Sequence, residues 1–190
     1  MTDITVVSGL PRSGTSMMMA MLAAGGLALL VDGRRTADED NPRGYYEYEK
    51  VKRLQKDATW LHEAEGRVVK VVATLLPFLP PQYRYRVVFM ERDLDEILAS
   101  QNAMLARSGG QAAASDEKMA AFFTGHLQKM KAWLAARSNV SVCYLNFNRL
   151  FQPHPEEEVA RLGTFLDAGL DQRRMLAVID DALYRKRKAV

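Results

Sequence analysis

A glycine-bounded loop between an apolar strand pattern and an apolar helix pattern most constrains the fold of this 190-residue sequence. Residues 6–16 read Val-Val-Ser-Gly-Leu-Pro-Arg-Ser-Gly-Thr-Ser. Successive backbone N–H groups in such a loop point inward, and the N-terminus of the following helix adds its positive end, so the loop forms a nest for an anion. Gly9 and Gly14 allow the backbone to approach that anion closely. The pattern therefore predicts a phosphate-binding loop.

The spacing of this loop is that of the P-loop, G-x-x-x-x-G-K-[ST], with one change. Thr15 stands where the P-loop has its lysine, and the cation lies three residues earlier, at Arg12. We expect the loop to hold a phosphate, but not to grip a transferable γ-phosphoryl group in the usual way. A Gly-Pro turn with no ligand is the alternative.

Five short apolar segments predict strands, at residues 4–8, 28–31, 68–72, 86–91 and 140–145. Most are continuous and rich in valine, which is typical of strands covered on both faces of a parallel sheet. Helical patterns occupy residues 16–24, 48–65, 93–107, 116–137 and 155–166, and residues 108–115 predict a mobile loop. The alternation predicts an α/β fold, a three-layer sandwich with a mainly parallel, about five-stranded, P-loop-like sheet. We expect residues 1–190 to form a single domain.

Composition excludes several classes of protein. The 26 basic and 23 acidic residues give a net charge of +3, too small a bias to indicate a nucleic-acid partner. The only cysteine is Cys143, so no intrachain disulfide can form. The longest apolar run, residues 17–31, is shorter than the roughly 20 residues of a membrane-spanning helix. We expect a cytoplasmic protein without a membrane span. The charge surplus is concentrated in residues 171–190, where 185–188 are all basic.

The segment Pro-Arg-Ser-Gly-Thr-Ser at residues 11–16 resembles the 5′-phosphosulfate-binding loop of sulfotransferases, above all of tyrosylprotein and bacterial sulfotransferase-like proteins. A second element of that family is an arginine at the end of a later strand with a serine eight residues on. Arg92 and Ser100 fit it. The resemblance implies use of 3′-phosphoadenosine 5′-phosphosulfate (PAPS) as co-substrate, without a metal. The cofactor-binding residues that it implies are Gly9, Arg12, Ser13, Gly14, Thr15, Ser16, Met17, Arg92 and Ser100.

Two departures from the family matter for chemistry. Cytosolic sulfotransferases place a tryptophan against the adenine, where this chain has Met17. They also carry a Lys-Thr-His-Leu-Pro segment whose histidine is the general base, whereas residues 73–77 here read Ala-Thr-Leu-Leu-Pro. Another group must therefore accept the proton, or no catalysis takes place.

The catalytic residues that we predict are Arg12, Asp32 and Lys70. Arg12 would neutralise charge on the departing phosphate. Asp32 follows a short strand about twenty residues after Arg12, where tyrosylprotein sulfotransferases have a carboxylate, although an aspartate before a glycine can also only form a turn. Asp40 and Glu47 are the alternative bases, in a segment rich in acids and tyrosines. Lys70 interrupts an apolar strand and either contacts the sulfuryl group or extends to solvent at the sheet end.

The resemblance thus implies transfer of a sulfuryl group to a hydroxyl or amine of a small-molecule or carrier-borne acceptor. Two alternatives remain open. One is a P-loop small-molecule kinase, for which Glu91 at a strand end would be the magnesium partner. The other is a non-catalytic nucleotide-binding protein of the same fold.

Overall fold

Four parallel strands form the sheet in the described part of this computed structural model, which covers residues 2–107, 109–110 and 115–184. The strands are β1 (Ile4–Gly9), β2 (Val68–Lys70), β3 (Tyr85–Glu91) and β4 (Val140–Asn146), in the order β2-β1-β3-β4. Their register pairs Val6 with Val69 and with Val87, and Val87 with Val142. The parallel α/β sheet predicted from the sequence is therefore confirmed.

The fifth predicted strand, residues 28–31, does not extend the sheet. It makes one parallel bridge, from Leu29 to Val68, and the backbone N–H of Leu30 donates to the carbonyl of Val68 at 2.8 Å. Val31 beyond it is exposed. The segment therefore touches only the start of a three-residue strand, too short to support a longer ladder.

Helices and turns cover both faces of the sheet. The helices are α1 (Thr15–Ala24), α2 (Leu94–Arg107), α3 (Asp116–Ala135), α4 (Pro155–Leu166) and α5 (Gln172–Leu176). On one face, here the methionine face, Met18, Met19 and Met21 of α1 pack with α4 and with Met175 of α5. On the other, the tryptophan face, Trp60 packs with α3 and with short 3₁₀ turns. This is the predicted three-layer arrangement.

The predicted helix over residues 48–65 is wrong. Two 3₁₀ segments, Glu49–Arg53 and Thr59–Ala64, take its place. Asp57 separates them, because its side chain accepts hydrogen bonds from the N–H and hydroxyl of Thr59 and its carbonyl accepts one from the Trp60 indole. An aspartate that binds nearby donors in this way competes with the backbone bonds of a helix.

The other predicted helices are found within two residues of their predicted bounds. In α2, the Asp93 side chain accepts from the backbone N–H of Asp95 at 2.9 Å, as expected for a residue that caps a helix start. In α3, Phe122 is 63% exposed, whereas the neighbouring Phe123 is buried. The predicted loop over 108–115 and the basic run 185–188 lie largely or wholly outside the described residues.

All four strands point the same way, so their carboxyl ends share one edge of the sheet. That edge gathers Gly9, Lys70, Glu91 and Asn146, with the predicted phosphate loop leaving β1 there. No helix in the described ranges is long and apolar enough to pass through a bilayer.

Candidate active site

The loop between β1 and α1 is held in one shape by close contacts. Ser13 is fully buried, and its hydroxyl donates to the carbonyl of Leu10 at 2.7 Å. A Cβ on Gly9 would lie 2.5 Å from the Ser13 oxygen, and one on Gly14, where φ is 94°, would lie 2.2 Å from the ring of Phe147. Both predicted glycines are therefore required by the packing around the loop as well as by its backbone shape.

Arg12 is the cation of the loop and is held from three directions. Its backbone is in the left-handed region, with φ 71°. Its Nε donates to the Ser100 hydroxyl at 2.9 Å, and an Nη donates to the backbone carbonyl of Asp40 at 3.3 Å. Its own carbonyl accepts from Arg92 at 3.0 Å. Arg12 thus lies together with Arg92 and Ser100, which are 80 and 88 residues away from it in the sequence.

Arg92 reaches the loop from the end of β3, as the sequence predicts. Its Nε donates to Glu96 at 2.9 Å, one turn along α2, and its guanidinium lies 4.4 Å from the centroid of the Phe147 ring. Glu96 also accepts from the Tyr184 hydroxyl at 2.7 Å. Burial, followed by this bond to Glu96, raises the pKa of Tyr184. Arg92 is therefore both a neighbour of the loop and a member of a buried ion pair.

Lys70 points into the site from the end of β2 rather than out to solvent. Its Nζ donates to the Ser16 hydroxyl at 3.3 Å and to the backbone carbonyl of Tyr45, and it lies 3.9 Å from a Glu47 oxygen. The residue is only 9% exposed, and this burial lowers the pKa of Lys70 to about 8. A second cation thus stands over the first turn of α1.

Thr15, Ser16 and Met17 form that first turn and are half-buried. The Ser16 hydroxyl joins Lys70 to the tyrosine-rich segment, since it donates to the Tyr45 carbonyl at 3.4 Å. Met17 packs against the methionine face. These positions place the N-terminus of α1 directly behind the predicted phosphate loop.

Residues 38–47, here the acidic segment, lie across both cations. Besides the carbonyls of Asp40 and Tyr45, the segment places the Asp40 carboxylate on Arg107 and the Tyr45 hydroxyl on Asp38 at 2.7 Å. The Asp38 bond raises the pKa of Tyr45, after the larger effect of burial. An anion that binds Arg12 and Lys70 must therefore compete with the backbone carbonyls of Asp40 and Tyr45.

The candidate bases differ in their contacts. Asp32 accepts from the backbone N–H groups of Glu49 at 2.6 Å and Arg34 at 3.1 Å, so its carboxylate holds a turn. Burial opposes the charge on Asp32, but these N–H bonds outweigh it and lower its pKa. Glu47 instead lies between Lys70 at 3.9 Å and Arg35 at 3.0 Å. Asp32 stays a prediction, and Glu47 is the carboxylate in contact with a predicted catalytic residue.

Three residues of this site were not singled out from the sequence: Glu96, Arg107 and Tyr184. Glu96, in the first turn of α2, stands four residues after Arg92, which lies just before that helix, and this spacing was the one available signal of an ion pair. Arg107 and Tyr184 reach the site through tertiary packing alone. No group of three or more His, Cys, Asp and Glu in the described ranges could hold a metal ion.

Comparison with known proteins gives no family. No family model and no curated protein matches the sequence. Among solved structures, an unliganded sugar kinase from Janibacter sp. HTCC2649 is 17% identical with a TM-score of 0.44, over 95% of this chain and 99% of that one. A sulfotransferase from Alicyclobacillus acidocaldarius is 12% identical with a TM-score of 0.49, over 88% of this chain and 82% of that one. Similarity this low assigns neither family nor activity.

Proposed function

We propose that this chain transfers a sulfuryl group from PAPS to a hydroxyl or amine of an acceptor. The observation that carries the proposal is the placement of the loop's cations. Arg12 replaces the P-loop lysine and bonds to Ser100, while Lys70 stands at Ser16 in the first turn of α1. Two cations from separate elements on a phosphate nest suit a ligand that carries both a phosphate and a transferable anionic group.

In the proposed reaction, the acceptor oxygen or nitrogen attacks the sulfur in line with the departing 5′-phosphate. The new bond to sulfur forms as the S–O bond to that phosphate breaks, and the acceptor proton passes to a base. Arg12 and the loop N–H groups would hold the departing phosphate. Lys70, mainly protonated below its pKa of about 8, would face the sulfuryl oxygens. Arg92 and Ser100 would lie at the 3′-phosphate.

The base is a carboxylate of the segment that covers the loop. Glu47 is our first candidate, because it lies beside Lys70, and Asp40 is the second, because its backbone contacts Arg12. Asp32, the first choice from sequence, has a lowered pKa and both oxygens on backbone N–H groups, which makes it a weaker proton acceptor.

Isosteric variants distinguish these carboxylates. We expect Glu47→Gln to lower the transfer rate about 10²- to 10⁴-fold, the usual effect of a positioned acid–base group, with little change in nucleotide affinity. Asp40→Asn and Asp32→Asn should have milder effects, and Glu117→Gln, at an exposed position on α3, is the control. If Glu47→Gln stays active while Asp40→Asn or Asp32→Asn loses most of the transfer rate, the residue replaced in the inactive variant is the base instead.

The function itself is tested by titration with adenosine 3′,5′-bisphosphate and, separately, with ATP and magnesium. We expect the first to bind more tightly, and PAPS to sulfate at least one member of a panel of phenols, alcohols and amines. Binding without transfer to any acceptor would favour the non-catalytic alternative.

A P-loop kinase remains the second candidate because of two placements. Glu91 ends β3 at the ligand edge of the sheet, where a magnesium partner would lie, and Lys70 at Ser16 could supply the cation that is missing at Thr15. Glu91 is bonded to Lys131 at 2.5 Å, so magnesium would have to displace that lysine. Tight binding of ATP with magnesium and γ-phosphoryl transfer to a hydroxyl would decide for this candidate.

A further inference from the structure

The positive charge of Arg92, which contacts the phosphate loop, is neutralised by an ion pair with Glu96. Its Nε donates to Glu96 Oε2 at 2.9 Å, and the two side chains are only 8% and 4% exposed. Another guanidinium nitrogen, Nη1, donates to the Arg12 carbonyl at 3.0 Å. The arginine that touches the loop is therefore one half of a buried pair whose net charge is zero.

Glu96 is fixed in this arrangement from its other side. Its Oε1 accepts from the Tyr184 hydroxyl at 2.7 Å, and that hydroxyl accepts from the Asn148 amide at 2.5 Å. Because both carboxylate oxygens are bonded, Glu96 cannot turn away from Arg92 without breaking the contact to Tyr184. Its negative charge consequently stays beside the loop when an anion arrives.

The aromatic surroundings of the pair strengthen the electrostatic effect of the Glu96 charge. The Arg92 guanidinium lies 4.4 Å from the Phe147 ring centroid and 5.4 Å from that of Tyr184, and these rings pack against each other at 5.3 Å. Aromatic rings exclude water from the pair, and charges interact more strongly where water is excluded. Glu96 therefore acts on Arg92, and on any anion beside Arg92, with little screening.

We propose that Glu96 is a specificity-determining residue that weakens the hold of Arg92 on a phosphate. With Glu96 ionised, the pair offers an anion donor groups but almost no net charge. The identity of that anion as a 3′-phosphate rests on the proposed function, whereas the effect of the Glu96 charge on an anion at the loop does not.

The first test is Glu96→Gln, which removes the charge and keeps the size. We expect its affinity for adenosine 3′,5′-bisphosphate to rise about tenfold, from the unmatched charge of Arg92, and its affinity for AMP to rise less. Glu117→Gln, at an exposed position on α3, is the matched control, because it makes the same substitution outside the Arg92–Glu96 pair, and its ratio of the two affinities should equal that of the wild type. An unchanged or lower ratio in folded Glu96→Gln overturns the proposal.

If Glu96→Gln folds poorly, a double-mutant cycle tests whether the Glu96 charge weakens anion binding. Arg92→Gln leaves Glu96 as an unmatched negative charge beside the loop, so anion affinity should fall. Adding Glu96→Gln to that variant removes the repulsion and should restore much of the lost affinity. Failure of the second substitution to restore affinity contradicts a role for the Glu96 charge.

Inorganic pyrophosphate separates this inference from the proposed function. Equal wild-type affinity for AMP and for adenosine 3′,5′-bisphosphate would remove the proposed 3′-phosphate site. Even then, tighter pyrophosphate binding by Glu96→Gln than by wild type and Glu117→Gln would support the effect of Glu96. Equal pyrophosphate binding by all three proteins would overturn it.

Discussion

Arg12 links the loop to three other parts of the chain through its backbone and its side chain. The side chain contacts Ser100 on α2 and the carbonyl of Asp40, and the backbone carbonyl contacts Arg92. The sequence indicated that Arg12 would be the loop's cation, because position 15 lacks a lysine. It also predicts that Arg92 and Ser100 together hold one phosphate. In the structure the Ser100 hydroxyl accepts from Arg12, and the Arg92 Nε donates to Glu96.

Replacing this cation should weaken nucleotide binding. We expect Arg12→Ala to lower the affinity for adenosine 3′,5′-bisphosphate by about ten- to a hundredfold, the effect of losing one charge-assisted contact of roughly 1.5–3 kcal/mol. Arg173→Ala is the control, since Arg173 is an exposed arginine on α5. Titration calorimetry on both variants measures the change. Equal affinity in Arg12→Ala and in the control would remove Arg12 from the anion site.

Lys70 should make stability depend on pH. Its pKa is about 8 in the folded chain and about 10.4 in an unfolded one, so between these values only the unfolded chain holds the proton. The free energy of unfolding therefore rises with pH through this window, and the full penalty of the buried charge applies below pH 8. Relative to Lys70→Met, the wild type should gain about 2 kcal/mol between pH 7 and pH 10.

Urea unfolding at several pH values measures this gain, and Lys56→Met, at an exposed lysine, controls for general charge effects. The wild type and Lys56→Met should show the same dependence on pH. If Lys70→Met does so as well, the folded pKa of Lys70 is not depressed and its ammonium is not held in a water-poor site.

At the scale of elements, the sequence predicts best where one local pattern dominates. Continuous valine-rich runs marked β1, β3 and β4, and Pro155 with three following glutamates marked the start of α4. The pattern failed at residues 48–65, where the apolar spacing resembles a helix but the side chain of Asp57 binds the donors that a helix would use. It also failed at residues 28–31, because a partner strand of three residues cannot be foreseen from the apolar run itself.

The junction of the loop and α1 offers a test of how tightly the loop is packed. An alanine at Gly14 would adopt an unfavourable φ of 94° and place its Cβ 2.2 Å from Phe147, a buried ring packed against Phe151 and Tyr184. We expect Gly14→Ala to lower the free energy of unfolding by about 2–4 kcal/mol and to weaken nucleotide binding.

Gly33→Ala is the matched control for this clash. Gly33 also has a positive φ, 66°, but a Cβ there would meet nothing within 4 Å. Its cost should be that of backbone strain alone, about 1 kcal/mol. Chemical denaturation of both variants gives the comparison. Equal costs at the two glycines would mean that Phe147 moves aside and that the loop is not packed as described.

At the scale of the whole molecule, the order of the strands decides which distant residues meet. Nothing in the apolar runs themselves says that β1 lies between β2 and β3, yet that order brings Lys70 to one side of the loop and Arg92 to the other. The sequence could propose these residues one by one through motif spacing. The contacts of Lys70 with Tyr45 and of Arg92 with Tyr184 involve chain segments whose sequence has no helical or strand periodicity, so these contacts could not be predicted.

The prediction that residues 1–190 form a single domain has a direct test, because the two faces of the sheet carry different natural probes. Trp60 and Trp133 belong to the tryptophan face, and Met18, Met19 and Met175 belong to the methionine face. Both faces are built on the same four strands, so neither should persist without the other. Urea unfolding followed by tryptophan fluorescence and by NMR of the ¹³C-labelled methyl groups of Met18, Met19 and Met175 should give one midpoint and one slope. Two separated midpoints would mean that the faces unfold as independent units, which would contradict a single domain.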